Sequence, residues 1–364
     1  MSIILFIVIL AALILVHELG HFIAAKRAGV RVDEFGIGFP PRLWKKKIGE
    51  TTYSLNLFPV GGFVKIFGED PNDESLKGAD HALALTYKSR LVQAWIISAG
   101  VVFNFLFAWI LISVGFMIGL PYSLDDSNYT DRILDSRLTI TQVMPSSPAE
   151  IAGLKAGDTI IDLSANSDHL ANPAIETTQQ FVASHEEIKL TYRRGDEMVT
   201  TMVRGVKGVV EDRLAIGISM DIIGTLKLPI HEAFYVGAKT TVSLTGAMAV
   251  GIIEFFKNIF IGRANMGDVS GPVGIVGIVG DATRLGFIHV LSLAAVISIN
   301  LGIINLVPFP ALDGGRLFFL LIETIKRSPI KPSIANTANG IGFVILILFM
   351  VFVTFHDVAK LIHG

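Results

Sequence analysis

The stretch His17-Glu18-Leu19-Gly20-His21 follows fourteen uninterrupted apolar residues, Ile3 to Val16. On a helix, positions i and i+4 share a face, so His17 and His21 direct both imidazoles at one point. Glu18 projects from the adjacent position, within reach of a water molecule held there. The H-E-x-x-H spacing is a zinc-hydrolase signature in which the histidines hold the metal and the glutamate is the general base. So short a pattern arises by chance in a chain of 364 residues, and the surroundings must decide. Here they are a membrane span, where ionisable groups are costly and mark functional sites.

Composition agrees with a membrane setting. The chain is 51% hydrophobic and 17% charged, with mean hydropathy +0.60; soluble domains carry about 25% charge. A net charge of −2 argues against nucleic acid as a partner. There is no cysteine, which removes disulfides, thiolate metal ligands and a cysteine nucleophile. Zinc must be held by His, Asp or Glu. No Lys or Arg precedes the first apolar run and no small-residue cleavage site follows it, so it is expected to stay as a helix, not to be removed as a signal peptide. Lys26, Arg27 and Arg31 come after it, which by the positive-inside rule puts the N-terminus outside. Fourteen residues rise about 21 Å, less than the ~30 Å hydrocarbon core. His17 and His21 are therefore expected within the membrane thickness, near its cytoplasmic side.

The N-terminal membrane half, 1–124, is expected to hold a first span at about 3–25 and a second at about 94–120. Between them, residues 26–91 contain eleven Lys or Arg and read as cytoplasmic. Within that loop Thr51 to Ile66 alternates, with Pro59 and Gly61-Gly62 interrupting it, and this predicts a β-hairpin at about 51–66. It is apolar enough to dip into the membrane beside the first helix, where only protein or a water-filled cavity can satisfy its backbone; a small cytoplasmic hairpin is the alternative. Asn104 is the one strongly polar residue in mid-span of the second helix, suited to interhelical hydrogen bonding or to a site.

Residues 125–222 change character. Charges return, strands are short, and Gly and Asp turns recur. Thr139–Val143 predicts a strand, followed by Pro145-Ser-Ser-Pro-Ala-Glu-Ile-Ala-Gly-Leu-Lys-Ala-Gly-Asp-Thr-Ile-Ile161. This S-P-A-x-x-A-G-L-x-x-G-D-x-I arrangement resembles a PDZ domain of the circularly permuted kind found in bacterial proteases. Such domains bind extended peptides at a sheet edge, and Leu214–Ile218 is the expected edge.

In the C-terminal membrane half, 223–364, an amphipathic segment at about 230–262 could span or lie along the surface. Third and fourth spans are expected at about 286–307 and 340–358. The best candidate for a third metal ligand is Asp313, in Asn305-Leu-Val-Pro-Phe-Pro-Ala-Leu-Asp-Gly-Gly315, where prolines break the helix and leave a carboxylate in irregular backbone. The other histidines, at 81, 169, 185, 231, 289, 356 and 363, have no partner pattern. If 230–262 lies on the surface, Asp313 ends on the same side as His17 and His21; if it spans, Asp313 ends opposite them.

Taken together, H-E-L-G-H in the first helix, N-x-x-P-x-P-x-L-D-G after the third, and a PDZ-like insert between helices two and three resemble the site-2 protease family of intramembrane zinc metalloproteases, in particular its bacterial RseP-like branch. Gly271-Pro-Val-Gly-Ile275 resembles a stretch before the third helix in that branch. The resemblance implies a polytopic α-helical membrane protein with four transmembrane helices, a membrane-reentrant β-hairpin and one inserted extracytoplasmic α+β PDZ domain. One PDZ copy, where RseP of enteric bacteria has two, is a departure that bears on substrate gating. It implies zinc held by His17, His21 and Asp313, with Glu18 as base. Asn305 and the hairpin residues Tyr53, Leu55, Leu57, Gly61, Gly62 and Phe63 would bind a membrane-embedded protein substrate. A peptide or carboxyl terminus would occupy the PDZ domain. The expected location is the bacterial inner (plasma) membrane, multi-pass, with the active site near the cytoplasmic face and the PDZ domain and both termini outside. The expected reaction is cleavage of single-pass membrane proteins, such as an anti-sigma factor or a signal-peptide remnant. A catalytically inactive PDZ scaffold is the rival reading, opposed by the intact Glu18. A transporter is the third, opposed by the lack of internal repeats.

Overall fold

A run of apolar residues flanked by Lys26 and Arg27 forms α1, Ser2–Arg27, the first element of the computed structural model. The structure describes residues 1–69, 79–124, 129–210, 213–262 and 269–363. The chain divides into two compact units, one comprising 1–113, 234–283 and 289–364, the other 114–233 and 284–288.

In the first unit, α1 is followed by two long strands, β1 (Val32–Ile48) and β2 (Thr51–Ile66). They are joined by a turn at Gly49, whose φ of 62° suits glycine. The hairpin expected within Thr51–Ile66 is corrected by the pairing. The two halves of β2 do not pair with each other. Instead Glu34–Ile37 of β1 pairs with Thr52–Leu55 and also with Gly62–Lys65, lying between them, while Arg42–Ile48 pairs back onto Thr51–Asn56. Alternation marks a strand but not its partner, and the middle segment here precedes both halves in sequence. The sheet packs on the end of α1: Phe22 meets Phe35 edge-on at 5.2 Å and Tyr53 at 6.1 Å. Ala24, Ala25, Val32, Ile66 and Ala99 are buried in the same core.

α2 (Arg90–Ile118) then crosses α1. Helices in a membrane gain little from hydrophobicity, so they associate through small residues that let backbones approach. A Cβ at Gly20 of α1 would collide with the Ala99 carbonyl and meet the Gly100 Cα at 3.0 Å. These two helices touch backbone to backbone.

The second unit holds β3 (Leu120–Ser123), β4 (Ile133–Val143), α3 (Pro148–Ile151), β5 (Thr159–Ala165), β6 (Asp168–Ala171), α4 (Ile175–Ser184), β7 (Glu187–Arg194), β8 (Glu197–Arg204), β9 (Val206–Val210), β10 (Arg213–Ala215) and β11 (Ile218–Leu226). One sheet runs β3-β11-β4-β5-β7-β8, with β6 on β5, and β9 pairs with β10. The predicted strand Thr139–Val143 ends β4. In the motif that follows, Ser147 caps α3, accepting from Glu150 N, while Glu150 accepts from Ser146 N at 2.6 Å. Of the 125–222 region, 125–128 and 211–212 lie outside the described residues. The core is Ile140, Leu163, Ile188 and Leu190, all fully buried. Beside it Val182 of α4, Leu214, Ile216, Ile218 and Met220 line a cleft of about 150 Å³. The stretch Leu214–Ile218, expected as one edge, is divided: Leu214 and Ala215 belong to β10, paired with β9, and Ile218 opens β11, with all of them lining the cleft.

The chain continues through α5 (Ile230–Phe260), α6 (Pro272–Leu285), α7 (Phe287–Leu306), α8 (Asp313–Lys326) and α9 (Pro332–His363). Among the described residues, five helices are long and apolar enough to cross a membrane: α1, α2, α5, α7 and α9. Four of them cover the stretches expected as spans, with ends shifted by up to eight residues. The fifth covers the 230–262 stretch, whose length and composition suit either placement. Within the first unit, Ile9 and Leu13 of α1 bury against Val279 of α6, with Leu293 and Ile297 of α7 packed on them. The Gly271-Pro-Val-Gly stretch opens α6, where the buried Asp357 of α9 accepts from Gly271 N at 3.2 Å and Gly274 N at 2.8 Å.

Candidate metal centre

One helical turn separates His17 from His21, and α1 brings both rings to one face. Both are buried, 7% and 9% exposed. Their Nε2 atoms are 3.1 Å apart. Asp313 Oδ2 lies 3.1 Å from His17 Nε2 and 3.3 Å from His21 Nε2. Three ligand atoms of two neutral-donor imidazoles and one carboxylate therefore surround a single point. They come from residues nearly 300 positions apart in sequence.

Asp313 reaches this point because the chain folds tightly after α7. α8 starts at Asp313, and Cβ atoms at Gly314 and Gly315 would run into the carbonyls of Leu306, Val307 and Phe309. Only glycine admits the loop against the helix start. From the other side, α9 accommodates the loop through Gly342, where a Cβ would meet Pro310 Cβ at 2.8 Å.

α2 shapes the site as well. His21 Nδ1 donates to the Ile96 carbonyl at 2.8 Å, leaving the Nε2 lone pair directed at the convergence point. The Asn104 amide stands 3.2 Å from His17 Nδ1. Gly100 leaves room for both rings. Asn104 stood out in the sequence by its polarity. Gly100 and the Ile96 carbonyl did not, because neither carries a chemical signature; a glycine inside a membrane helix is the only signal of a close contact.

The donor set fits zinc: two imidazole nitrogens and one carboxylate oxygen are the ligand types zinc takes in catalytic sites, with a fourth position left for water or substrate. The separations near 3 Å are those of donors sharing one small cation. Asp313 Oδ2 makes no well-aligned hydrogen bond despite both ring nitrogens lying so near, as suits an oxygen aimed at an ion.

The remaining predicted residues lie around this centre in different ways. Glu18 runs beside β2: a Cβ at Gly62 would meet Glu18 Cγ at 3.5 Å and the Gly36 carbonyl at 3.1 Å. Gly61 and Gly62 are buried, Phe63 is half-buried, and Leu55 and Leu57 are 45% and 48% exposed. Tyr53 packs against Phe22 and Phe35. Asn305 is half-buried in the last turn of α7 and, among the described residues, makes no side-chain hydrogen bond.

Comparison with known proteins agrees with this chemistry. Residues 5–349 match Peptidase family M50. A Clostridium perfringens protein carrying a provisional zinc-metalloprotease name is 35% identical over 96% of each chain. A Clostridium acetobutylicum protein named in the same way is 33% identical over 98% of this chain and 97% of its own. The zinc metalloprotease RasP of Shouchella clausii is 29% identical over 98% of each chain. The chain belongs to Peptidase family M50, the site-2 protease family, and is a zinc metalloprotease of the membrane.

Proposed function

We propose that this protease hydrolyses a peptide bond within the membrane segment of single-pass membrane proteins, with His17, His21 and Asp313 as zinc ligands and Glu18 as general base. The observation that carries the reading is the convergence of those three ligand atoms, all within 4.8 Å of one another, beside a glutamate in an apolar helix. Zinc, when bound there, supplies Lewis acidity that polarises the scissile carbonyl and makes water a stronger acid. Glu18 takes the proton of the attacking water and delivers it to the leaving amine nitrogen.

A helical substrate hides its backbone, so it must unwind before it can be cut. The Gly61–Ile66 half of β2 pairs with β1 on one side only among the described residues. Its other edge is available to an extended peptide, in the manner of strand addition. Because Gly62 lies against Glu18, a peptide added at that edge would run past the base. Phe63 would meet its side chains and Asn305 its backbone, whereas Tyr53 and Leu55, expected beside the substrate, pair on the far side of Glu34–Ile37, two strands away from that edge.

Topology supports α5 lying along the surface. α1 carries the chain inward and α2 outward, so α7 must run inward for Asp313 to reach the histidines. A spanning α5 would reverse it, and α6, with 14 residues rising about 21 Å, is too short to restore the direction. This gives four spans and puts residues 125–222 outside the cytoplasm. The fold of that region around the Leu214–Ile218 cleft supports a single PDZ domain that binds a peptide or carboxyl terminus, acting on which substrates gain access. The bacterial relatives support location in the plasma membrane, and substrates such as an anti-sigma factor or a signal-peptide remnant fit the reaction.

The test is cleavage of a model single-pass substrate by the full chain in detergent or liposomes, against Glu18→Gln. The variant is expected to retain zinc and lose cleavage; equal cleavage by both proteins would sink the mechanism.

A further inference from the structure

We propose that Asn104 is a positioning residue that holds His17 in the one tautomer able to bind zinc, by accepting a hydrogen bond from His17 Nδ1–H. The inference rests on the assignment of His17 as a ligand.

A neutral imidazole carries one proton, and a nitrogen that binds a metal must offer its lone pair. His17 Nε2 faces His21 Nε2 and Asp313 Oδ2. The ring proton of a ligating His17 therefore sits on Nδ1 and requires an acceptor. His21 meets the same requirement through the Ile96 carbonyl. For His17 the neighbouring group is the Asn104 side chain, 3.2 Å away and completely buried.

The amide has two ends. Nδ2 stands at the 3.2 Å position, and Oδ1 is buried with no hydrogen-bond partner. An amide nitrogen and an Nδ1–H are both donors and cannot satisfy each other. Half a turn about the Cβ–Cγ bond exchanges the two ends, which gives Nδ1–H its acceptor and Oδ1 its partner. Asn is suited to this place because either end can face the ring, and because it adds no charge in the membrane interior.

Asn104 is itself held rigidly. Its main-chain carbonyl accepts from Ser298 Oγ of α7 at 2.8 Å, and Ser298 is fully buried. The residue that orients His17 is thereby fixed where α2 meets α7. Outer partners of ligating histidines typically change metal affinity about 10- to 100-fold when removed.

The experiment measures zinc affinity of the full chain in detergent by chelator competition, with the visible spectrum of the cobalt-substituted protein alongside. Asn104→Leu, which keeps the size and loses the acceptor, is expected to bind about 10- to 100-fold more weakly and to shift the cobalt bands. Asn104→Asp, which keeps an acceptor oxygen, is expected to bind no more weakly than wild type. Ser298→Ala, which removes the bond to the Asn104 main-chain carbonyl but leaves the side-chain acceptor in place, is expected to weaken binding less than Asn104→Leu. Wild-type affinity in Asn104→Leu overturns the proposal, as does equal weakening in Asn104→Leu and Ser298→Ala. If Asn104→Leu does not fold, weaker binding by Asn104→Asp overturns it. His17→Ala separates the two layers: zinc retained there defeats the ligand assignment itself, whereas zinc lost there and kept in Asn104→Leu defeats only the role of Asn104.

Discussion

Gly100 of α2 lies against the His21 ring so closely that a methyl group on its Cα would overlap His21 Nε2 and come within 2.8 Å of His17 Nε2. Two ring nitrogens meet Asp313 because the neighbouring helix has no side chain at that position. The small residue is what brings the ligands together.

Gly100→Ala should therefore damage the centre and spare the helix. Alanine favours a helix interior over glycine by roughly 0.5–1 kcal/mol, so α2 itself gains. The added methyl must displace both imidazoles. Zinc affinity is expected to fall by at least about tenfold, and because overpacking costs about 1–3 kcal/mol, more than the helix gains, the thermal midpoint of the metal-free protein is expected to fall modestly. Chelator competition and thermal unfolding of the same preparation check both halves.

How far the sequence alone reached follows from the kind of signal each feature carries. His17 and His21 were legible because four-residue spacing and helix periodicity are the same information. Asp313 was legible because a carboxylate among Pro308, Pro310 and Gly314 contradicts an apolar span. The sheet was legible as strands but not as a topology. Val32–Ile37 lies between the two halves of Thr51–Ile66, and nothing local in either segment specifies that order. Gly20 and Gly100 act only by absence of a side chain, which composition does not distinguish from a neutral helix residue. α5 stayed ambiguous because a surface helix and a span can share its composition.

In the second unit, stability should depend on Asp158. Its side chain is 1% exposed and accepts from Arg194 Nε and Nη2, both at 2.7 Å, and from Lys155 N at 2.8 Å. Arg194 is 31% exposed, so water can solvate it once the carboxylate is gone. That keeps the loss below the full penalty of a stranded buried charge. Asp158→Ala is expected to cost about 2–3 kcal/mol in this unit. Hydrogen exchange on the full chain should show faster exchange in β5 and β7, with protection in α1 unaltered.

The cleft beside Leu214 offers a separate prediction. Burying a leucine-sized side chain contributes about 1.5–3 kcal/mol, which corresponds to about 10- to 100-fold in affinity. Leu214→Glu puts a charge where an apolar peptide side chain would sit. Fluorescence anisotropy with peptides ending in an apolar residue is expected to fall about tenfold or more in affinity. Cleavage of a substrate lacking any extracytoplasmic tail should be unchanged, because that substrate never engages the cleft.

Gly62 tests the link between the sheet and the base. A side chain there meets the Gly36 carbonyl at 3.1 Å and Glu18 Cγ at 3.5 Å. The carbonyl belongs to a paired strand and cannot move far, so the larger share of the displacement falls on Glu18. Gly62→Val should therefore shift the base and leave the ligands alone. A misplacement of about 1 Å costs on the order of 100-fold in rate. Turnover should drop by about that factor while zinc content stays at the wild-type level. Gly100→Ala is expected to give the opposite pattern, with zinc lost first. If Gly62→Val instead loses zinc with its activity, the sheet supports the metal ligands and not the base, and the path of the substrate past Glu18 would have to be redrawn.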